Sequence, residues 1–213
     1  MPSADALDAV TIDAMGTLVE LDAPVERLAR ALHDRGVSAS AADVAAAFRE
    51  EVEYYLAHKL SARDEEALAD LRRECSRIFL AGVGADLDPA DFTPAFVDSM
   101  VFEPLEGAVE ALHRLRAAGL GLACVSDWDI GLRSALAASG LDHLVDLVLT
   151  SAEVGAAKPA PDLFDEAVSR LGVEASRVLH VGDDDADRLG AEAAGLAFAP
   201  VPLATIPDRL GVR

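Results

Sequence analysis

Apolar residues fall into two rhythms along the 213-residue chain. In the first, short apolar runs recur: Val10-Thr11-Ile12 ahead of Gly16, and later 120–125, 144–150, 177–181 and 196–201. Runs of this length without polar alternation read as strands buried on both faces. Between the later runs the period turns helical, over 106–118, 129–139, 161–171 and 186–194, with Gly119 as a stop and Pro161 as a start. Strand and helix in alternation predict an α/β fold, a Rossmann-like doubly wound parallel sheet whose sites lie beyond the carboxyl ends of its strands.

The second rhythm occupies the stretch between the first strand and the rest. Helical periodicity runs over 24–35 and stops at Gly36, resumes from Ser40 or Ala42 to Lys59 behind a serine cap, and returns over 64–81 before Gly82 and Gly84. Asp88-Pro89 and Thr93-Pro94 then read as punctuation before the chain resumes its first rhythm near Ser99. The expected division is a core of residues 1–18 and 99–213, interrupted by a small α-helical module over 19–98.

Composition narrows the partners. A hydrophobic fraction of 52% is ample for a buried core. The 18 basic and 38 acidic side chains give a net charge of −20, a field that repels nucleic acid and anionic membrane surfaces, so neither is expected as a partner. A small anionic substrate must then be met by local positive groups and a cation. Cys75 and Cys124 lack metal-ligand spacing and any disulfide framework, and no apolar stretch reaches the ~20 residues of a membrane span. Met1-Pro2-Ser3-Ala4-Asp5 has no basic-then-apolar leader. The expected location is cytoplasmic, and no feature sets an oligomeric state.

Candidate chemistry sits where the expected strands end. Asp13 follows the first strand and precedes Gly16 and Thr17; taken alone, it reads equally well as a turn residue. Ser126, followed by Asp127, closes Gly121-Leu122-Ala123-Cys124-Val125, where a hydroxyl and helix-opening amides can bind phosphate oxygens or simply cap the helix. Lys158 precedes Pro159, which keeps the local chain from turning helical. Gly182-Asp183-Asp184-Asp185-Ala186-Asp187 places two carboxylates four residues apart after another strand.

In this order, the four segments resemble the motifs of the haloacid dehalogenase superfamily of phosphohydrolases, and the helical module resembles the cap inserted after its first motif. The resemblance implies that Asp13 is a nucleophile, that Gly16 and Thr17 bend the backbone around phosphate, that Ser126 contacts phosphate oxygens and that Lys158 neutralises both nucleophile and phosphate. The residue after that serine is often Asn in the superfamily, so Asp127 adds negative charge beside the substrate. The resemblance also implies a Mg²⁺ site, with Asp13, the Met15 carbonyl and Asp183 as inner ligands and Asp187 in the outer shell. In the cap, Tyr54 and His58 share a helix face, and with Arg63 they are candidates to read the substrate.

One residue departs from the pattern. Superfamily phosphatases carry a second Asp two positions after the nucleophile as general acid and base, and Met15 stands there in this chain. A thioether donates no proton. The expected function is a Mg²⁺-dependent phosphatase acting on a small phosphorylated metabolite through an aspartyl phosphate, restricted to good leaving groups. The alternatives are a metal-independent hydrolase of carbon–halogen bonds, against which Asp183 argues, and a ligand-binding or scaffold protein without turnover, for which Met15 and Asp127 argue.

Overall fold

The computed structural model describes residues 2–212 and divides into two compact units, Met1–Glu20 with Phe102–Arg213, and Leu21–Val101. The first is an α/β unit. Its parallel sheet is built from β1 Ala9–Ile12, β4 Gly121–Ser126, β5 Leu147–Thr150, β6 Val178–Gly182 and β7 Ala197–Pro200, in the order β5-β4-β1-β6-β7. From β1 the sheet grows outward through β4 to β5 on one side, and the chain then crosses to β6 and β7 on the other. β1 and β6 therefore flank a topological switch point, the usual location of a site in such sheets.

Alternate residues of the central strands face opposite apolar layers. Val10, Ile12, Leu122, Cys124, Leu179 and Val181 join the layer containing α5 (Ala108–Ala117), α6 (Leu132–Ala138) and the short C-terminal helix numbered α10 (Ile206–Arg209). Ala9, Ala123, Val125 and Val178 join α8 (Asp162–Leu171) and α9 (Asp185–Ala193). Thr11 and His180 point with this second set, buried and paired in register.

The second unit is helical: α1 Pro24–His33, α2 Ala41–His58, α3 Glu65–Gly82 and α4 Pro89–Asp98. Ser40 and Asp64 cap α2 and α3 by accepting from Asp43 N and Ala67 N. Phe79 of α3 packs on Phe92 and Phe96 of α4, with ring centroids 6.1 and 5.5 Å away. The chain crosses between the units through a ribbon of two strands, β2 Val19–Leu21 and β3 Phe102–Pro104.

Several local expectations change. The segment read as proline punctuation is α4, because Pro89 occupies the first helical turn, where no amide is needed, and Asp88 accepts from Ala90 N. The β2–β3 ribbon is too short to show a period in sequence. α6 starts at Leu132 because Asp129 Oδ1 takes Gly131 N and holds the preceding turn, and β5 starts at Leu147 because Asp142–Leu144 forms a 3-10 turn. A four-residue helix, α7 (Ser151–Val154), follows β5 directly and is opened by a capping box between Thr150 and Glu153.

Candidate active site

Asp13 is the first residue beyond β1, and its amide still bonds Val181 O at 2.9 Å, so the β1–β6 pairing fixes its backbone. The chain then turns sharply around the Ala14 carbonyl, which accepts from the amides of Thr17, Leu18 and Val19. Gly16 sits in this turn at φ +77, and a Cβ there would lie 2.3 Å from Asp183 Oδ2. Both the backbone angle and the close approach of the Asp183 carboxylate require glycine.

Lys158 reaches the same point from the loop between α7 and α8. A cis peptide joins it to Pro159, and its amide donates to Asp127 Oδ1 at 3.1 Å. The Asp127 carboxylate thus ties the loop after β4 to the loop that carries the lysine. Lys158 Nζ lies 2.7 Å from Asp13 Oδ1 and 2.6 Å from Asp187 Oδ1, with the lysine side chain only 3% exposed. Burial alone would lower its pKa, but the Asp13 and Asp187 carboxylates outweigh that and hold it above the usual lysine range.

Asp187 is enclosed by donors. Oδ1 accepts from Lys158 Nζ and from His180 Nε2, the latter at 3.0 Å, and Oδ2 accepts from the amides of Asp183 at 3.1 Å and Asp184 at 3.5 Å. Burial opposes the carboxylate charge, but His180 and Lys158 prevail and hold its pKa below the usual range. Its four acceptor positions are filled.

Asp183 differs. One oxygen from each of Asp13, Asp183 and Asp187 lies within 4.8 Å of the others, yet no Lys or Arg among the described residues forms an ion pair with Asp183. Burial first, and then repulsion from Asp13, Asp187 and Asp184, raises its pKa. The local balance is three carboxylates to one ammonium. Such a group of oxygens fits a hard divalent cation. Asp13 and Asp183 have the donors to hold it, and the occupied Asp187 suits a place outside the first ligand layer.

The remaining expected residues take varied places. Ser126 closes β4, two residues beyond the Ile12–Cys124 pairing level, at the same carboxyl end of the sheet as Asp13. Thr17 is buried and its hydroxyl has no hydrogen-bond partner among the described residues. Met15 is 38% exposed, so it is not packed away as core. Tyr54, His58 and Arg63 lie in the helical unit: the Tyr54 and His58 rings stack 3.9 Å apart, His58 Nδ1 donates to Tyr54 O, and Arg63 Nε donates to Leu60 O.

Sequence reading passed over His180 and Thr11. His180 is wholly buried, with Nε2 on Asp187 and Nδ1 3.0 Å from Thr11 Oγ1, and burial lowers its pKa below the usual histidine value. The available signal was a polar side chain in the middle of each of two apolar runs, Val10-Thr11-Ile12 and Val178-Leu179-His180-Val181. A buried polar group in a central strand must find a partner.

The family model described as haloacid dehalogenase-like hydrolase matches residues 7–195. The mouse haloacid dehalogenase-like hydrolase domain-containing protein 3 is 34% identical over 204 residues, covering 88% of this chain and 78% of the relative. The Escherichia coli pyrimidine 5'-nucleotidase YjjG is 37% identical over 117 residues, 53% of this chain and 52% of that protein. Among solved structures, the L-2-haloacid dehalogenase of Xanthobacter autotrophicus superposes with a TM-score of 0.65 at 28% identity, covering 92% of this chain and 77% of that one.

Proposed function

The chain belongs to the haloacid dehalogenase-like hydrolases, and from that premise we propose that it is a Mg²⁺-dependent phosphatase that uses Asp13 as nucleophile. The observation that carries this reading is the charge balance at the switch point, three clustered carboxylates against the single ammonium of Lys158, with Asp183 left without a cation. A site for an anionic substrate in that state needs a further positive charge. Asp13, Asp183 and the Met15 carbonyl would hold Mg²⁺, which when bound neutralises charge on the phosphoryl oxygens.

The chain's own residues then do the following. Lys158 holds Asp13 Oδ1 and fixes the rotation of the carboxylate. Asp13 attacks phosphorus, the bond from phosphorus to the leaving oxygen breaks, and an aspartyl phosphate forms. Water next attacks phosphorus, the aspartyl P–O bond breaks, and the carboxylate is restored with release of inorganic phosphate. Ser126 and the loop amides after it would bind phosphoryl oxygens at the carboxyl end of the strands. With Met15 in the general-acid position the leaving group departs without a proton, a loss typically worth about 10²–10⁴ in rate. Acyl, enol and aryl phosphates tolerate that loss, so they are the proposed substrate class, and the molecule hydrolysed is a small phosphorylated metabolite of this kind.

A second reading has one observation in its favour. Halide leaves without a proton, so Met15 is compatible with hydrolysis of a carbon–halogen bond, the reaction for which the Xanthobacter enzyme is named. The unneutralised Asp183 opposes it, because a 2-halo acid is itself an anion. Phosphate release from an aryl phosphate and halide release from a 2-halo acid, each with Mg²⁺ and with excess chelator, separate the two. The phosphatase reading expects phosphate release that requires Mg²⁺; halide release in chelator would replace it with the dehalogenase reading.

A further inference from the structure

His180 sits in the centre of β6 beneath Asp187, with no exposed surface. Its two ring nitrogens face groups of different chemistry: Nε2 meets Asp187 Oδ1 at 3.0 Å, and Nδ1 meets Thr11 Oγ1 at 3.0 Å. A carboxylate oxygen only accepts, so in the neutral ring Nε2 carries the proton and Nδ1 accepts from the threonine hydroxyl. The β1–β6 register places Thr11 opposite His180, and the Phe164 ring stands edge-on 4.7 Å away, so the imidazole has little freedom to turn. Asp187 Oδ1 is thereby held by both His180 Nε2 and Lys158 Nζ, and the same ammonium also bonds Asp13 Oδ1 and lies 5.8 Å from the centre of the Phe164 ring. The order Thr11, His180, Asp187, Lys158, Asp13 is an unbroken hydrogen-bonded line from the sheet interior to the proposed nucleophile.

We propose that His180, with Thr11 behind it, is a positioning residue: by donating to Asp187 it fixes the carboxylate that aims the Lys158 ammonium at Asp13. The inference rests on the phosphatase reading for its kinetic effect, but its hydrogen-bond pattern stands apart from that reading. Neither residue touches substrate. Losing an outer hydrogen bond that orients a charged group at an active site typically costs about 10–100-fold in activity. The loss should fall on kcat, because a misdirected lysine impairs the reacting arrangement more than binding of the rest of the substrate.

The test uses the full chain and an aryl phosphate with Mg²⁺. His180→Leu removes the donor at similar volume and should lower kcat about 10–100-fold with KM little changed, whereas His180→Gln, whose amide can still donate to Asp187, should recover most of it. Thr11→Val should lower kcat in the same direction, and the double variant Thr11→Val/His180→Leu should be no worse than His180→Leu alone, because both act through one line. A second readout is independent of turnover: long-range ¹⁵N spectra of the metal-free protein should show His180 protonated at Nε2, with the Nδ1 signal shifted in Thr11→Val. Wild-type kcat in His180→Leu, equal loss in the Leu and Gln variants, or a proton on Nδ1 would overturn the inference. If His180→Leu does not fold, Thr11→Val and the tautomer decide it. No phosphate release by the wild type would defeat the phosphatase reading, and the spectra would still confirm or refute the hydrogen-bonded line.

Discussion

Replacing Asp183 by Asn should change the sign of its effect on stability according to whether Mg²⁺ is present. Without metal, the wild type holds the Asp183 carboxylate within 4.8 Å of two others, and none of its neighbours among the described residues forms an ion pair with it. At that separation two like charges repel by about 0.9 kcal/mol in water-like surroundings and about 3.5 kcal/mol at an effective dielectric near 20. Asp183 is exposed at the surface although partly desolvated, and the Lys158 ammonium offsets part of the repulsion, so the net relief from Asp183→Asn is about 1 kcal/mol. In a chain of this size that raises Tm by roughly 2–4 °C. With Mg²⁺ at about a hundredfold excess over its Kd, the wild type gains about 2.7 kcal/mol. That is a rise of roughly 5–11 °C, and the Asn variant should lose most of it. Thermal unfolding followed by circular dichroism, in chelator and across a Mg²⁺ series, measures both effects. A variant less stable than wild type in chelator, or one with an undiminished Mg²⁺ response, would refute the charge balance on which the proposed function stands.

Other consequences follow from single groups. Lys158→Met leaves the buried Asp13 and Asp187 carboxylates without their shared ammonium and should destabilise the chain by about 3–5 kcal/mol, read by urea unfolding. Glu51, buried in α2, has a pKa raised by burial, a shift only partly offset by a hydrogen bond from Cys75. A carboxyl whose folded pKa is raised binds more protons in the native state, so stability falls as pH climbs from the ordinary Glu value through the folded one. Glu51→Gln should flatten that slope in urea unfolding between mildly acidic and neutral pH, and an unchanged slope would assign it to other groups. Met15→Asp should raise turnover of alkyl phosphates, by up to about 10²–10⁴, far more than that of aryl phosphates. A plot of log kcat/KM against leaving-group pKa tests this, with the wild type expected to show the steeper negative slope; equal slopes would mean that another group supplies the proton.

The strands of the core were legible because each is a short, mostly apolar run, and strands buried on both faces leave that mark. α4 was hidden by the same signals that usually break helices: Pro89 and Pro94 read as punctuation, and only the Asp88 cap with Phe92 and Phe96 facing Phe79 shows that the first proline opens a helix. The β2–β3 ribbon left no period at all. At the site, sequence spacing locates Asp13, Lys158, Asp183 and Asp187 but not their bonds. Lys158 and Asp13 are 145 residues apart, and the ion pair between them depends on the sheet order and on Asp127 holding the lysine loop. Asp187 reads as one of four acids in a five-residue stretch, yet the tight turn after β6 folds its carboxylate back onto Gly182, where an added Cβ would lie 2.2 Å from Oδ2, and against two backbone amides. That placement makes it the holder of Lys158. The Thr11–His180 contact requires the β1–β6 register, which no local pattern encodes.

The central claim is that Asp13 becomes covalently phosphorylated during turnover. Turnover of an aryl phosphate with Mg²⁺, quenched in acid, treated with hydroxylamine and read by peptide mass spectrometry, should give a hydroxamate at Asp13 in the wild type and none in Asp13→Asn, which should also release no phosphate. Steady phosphate release with no modification at Asp13, or with the acyl group trapped on a different residue, would contradict the account.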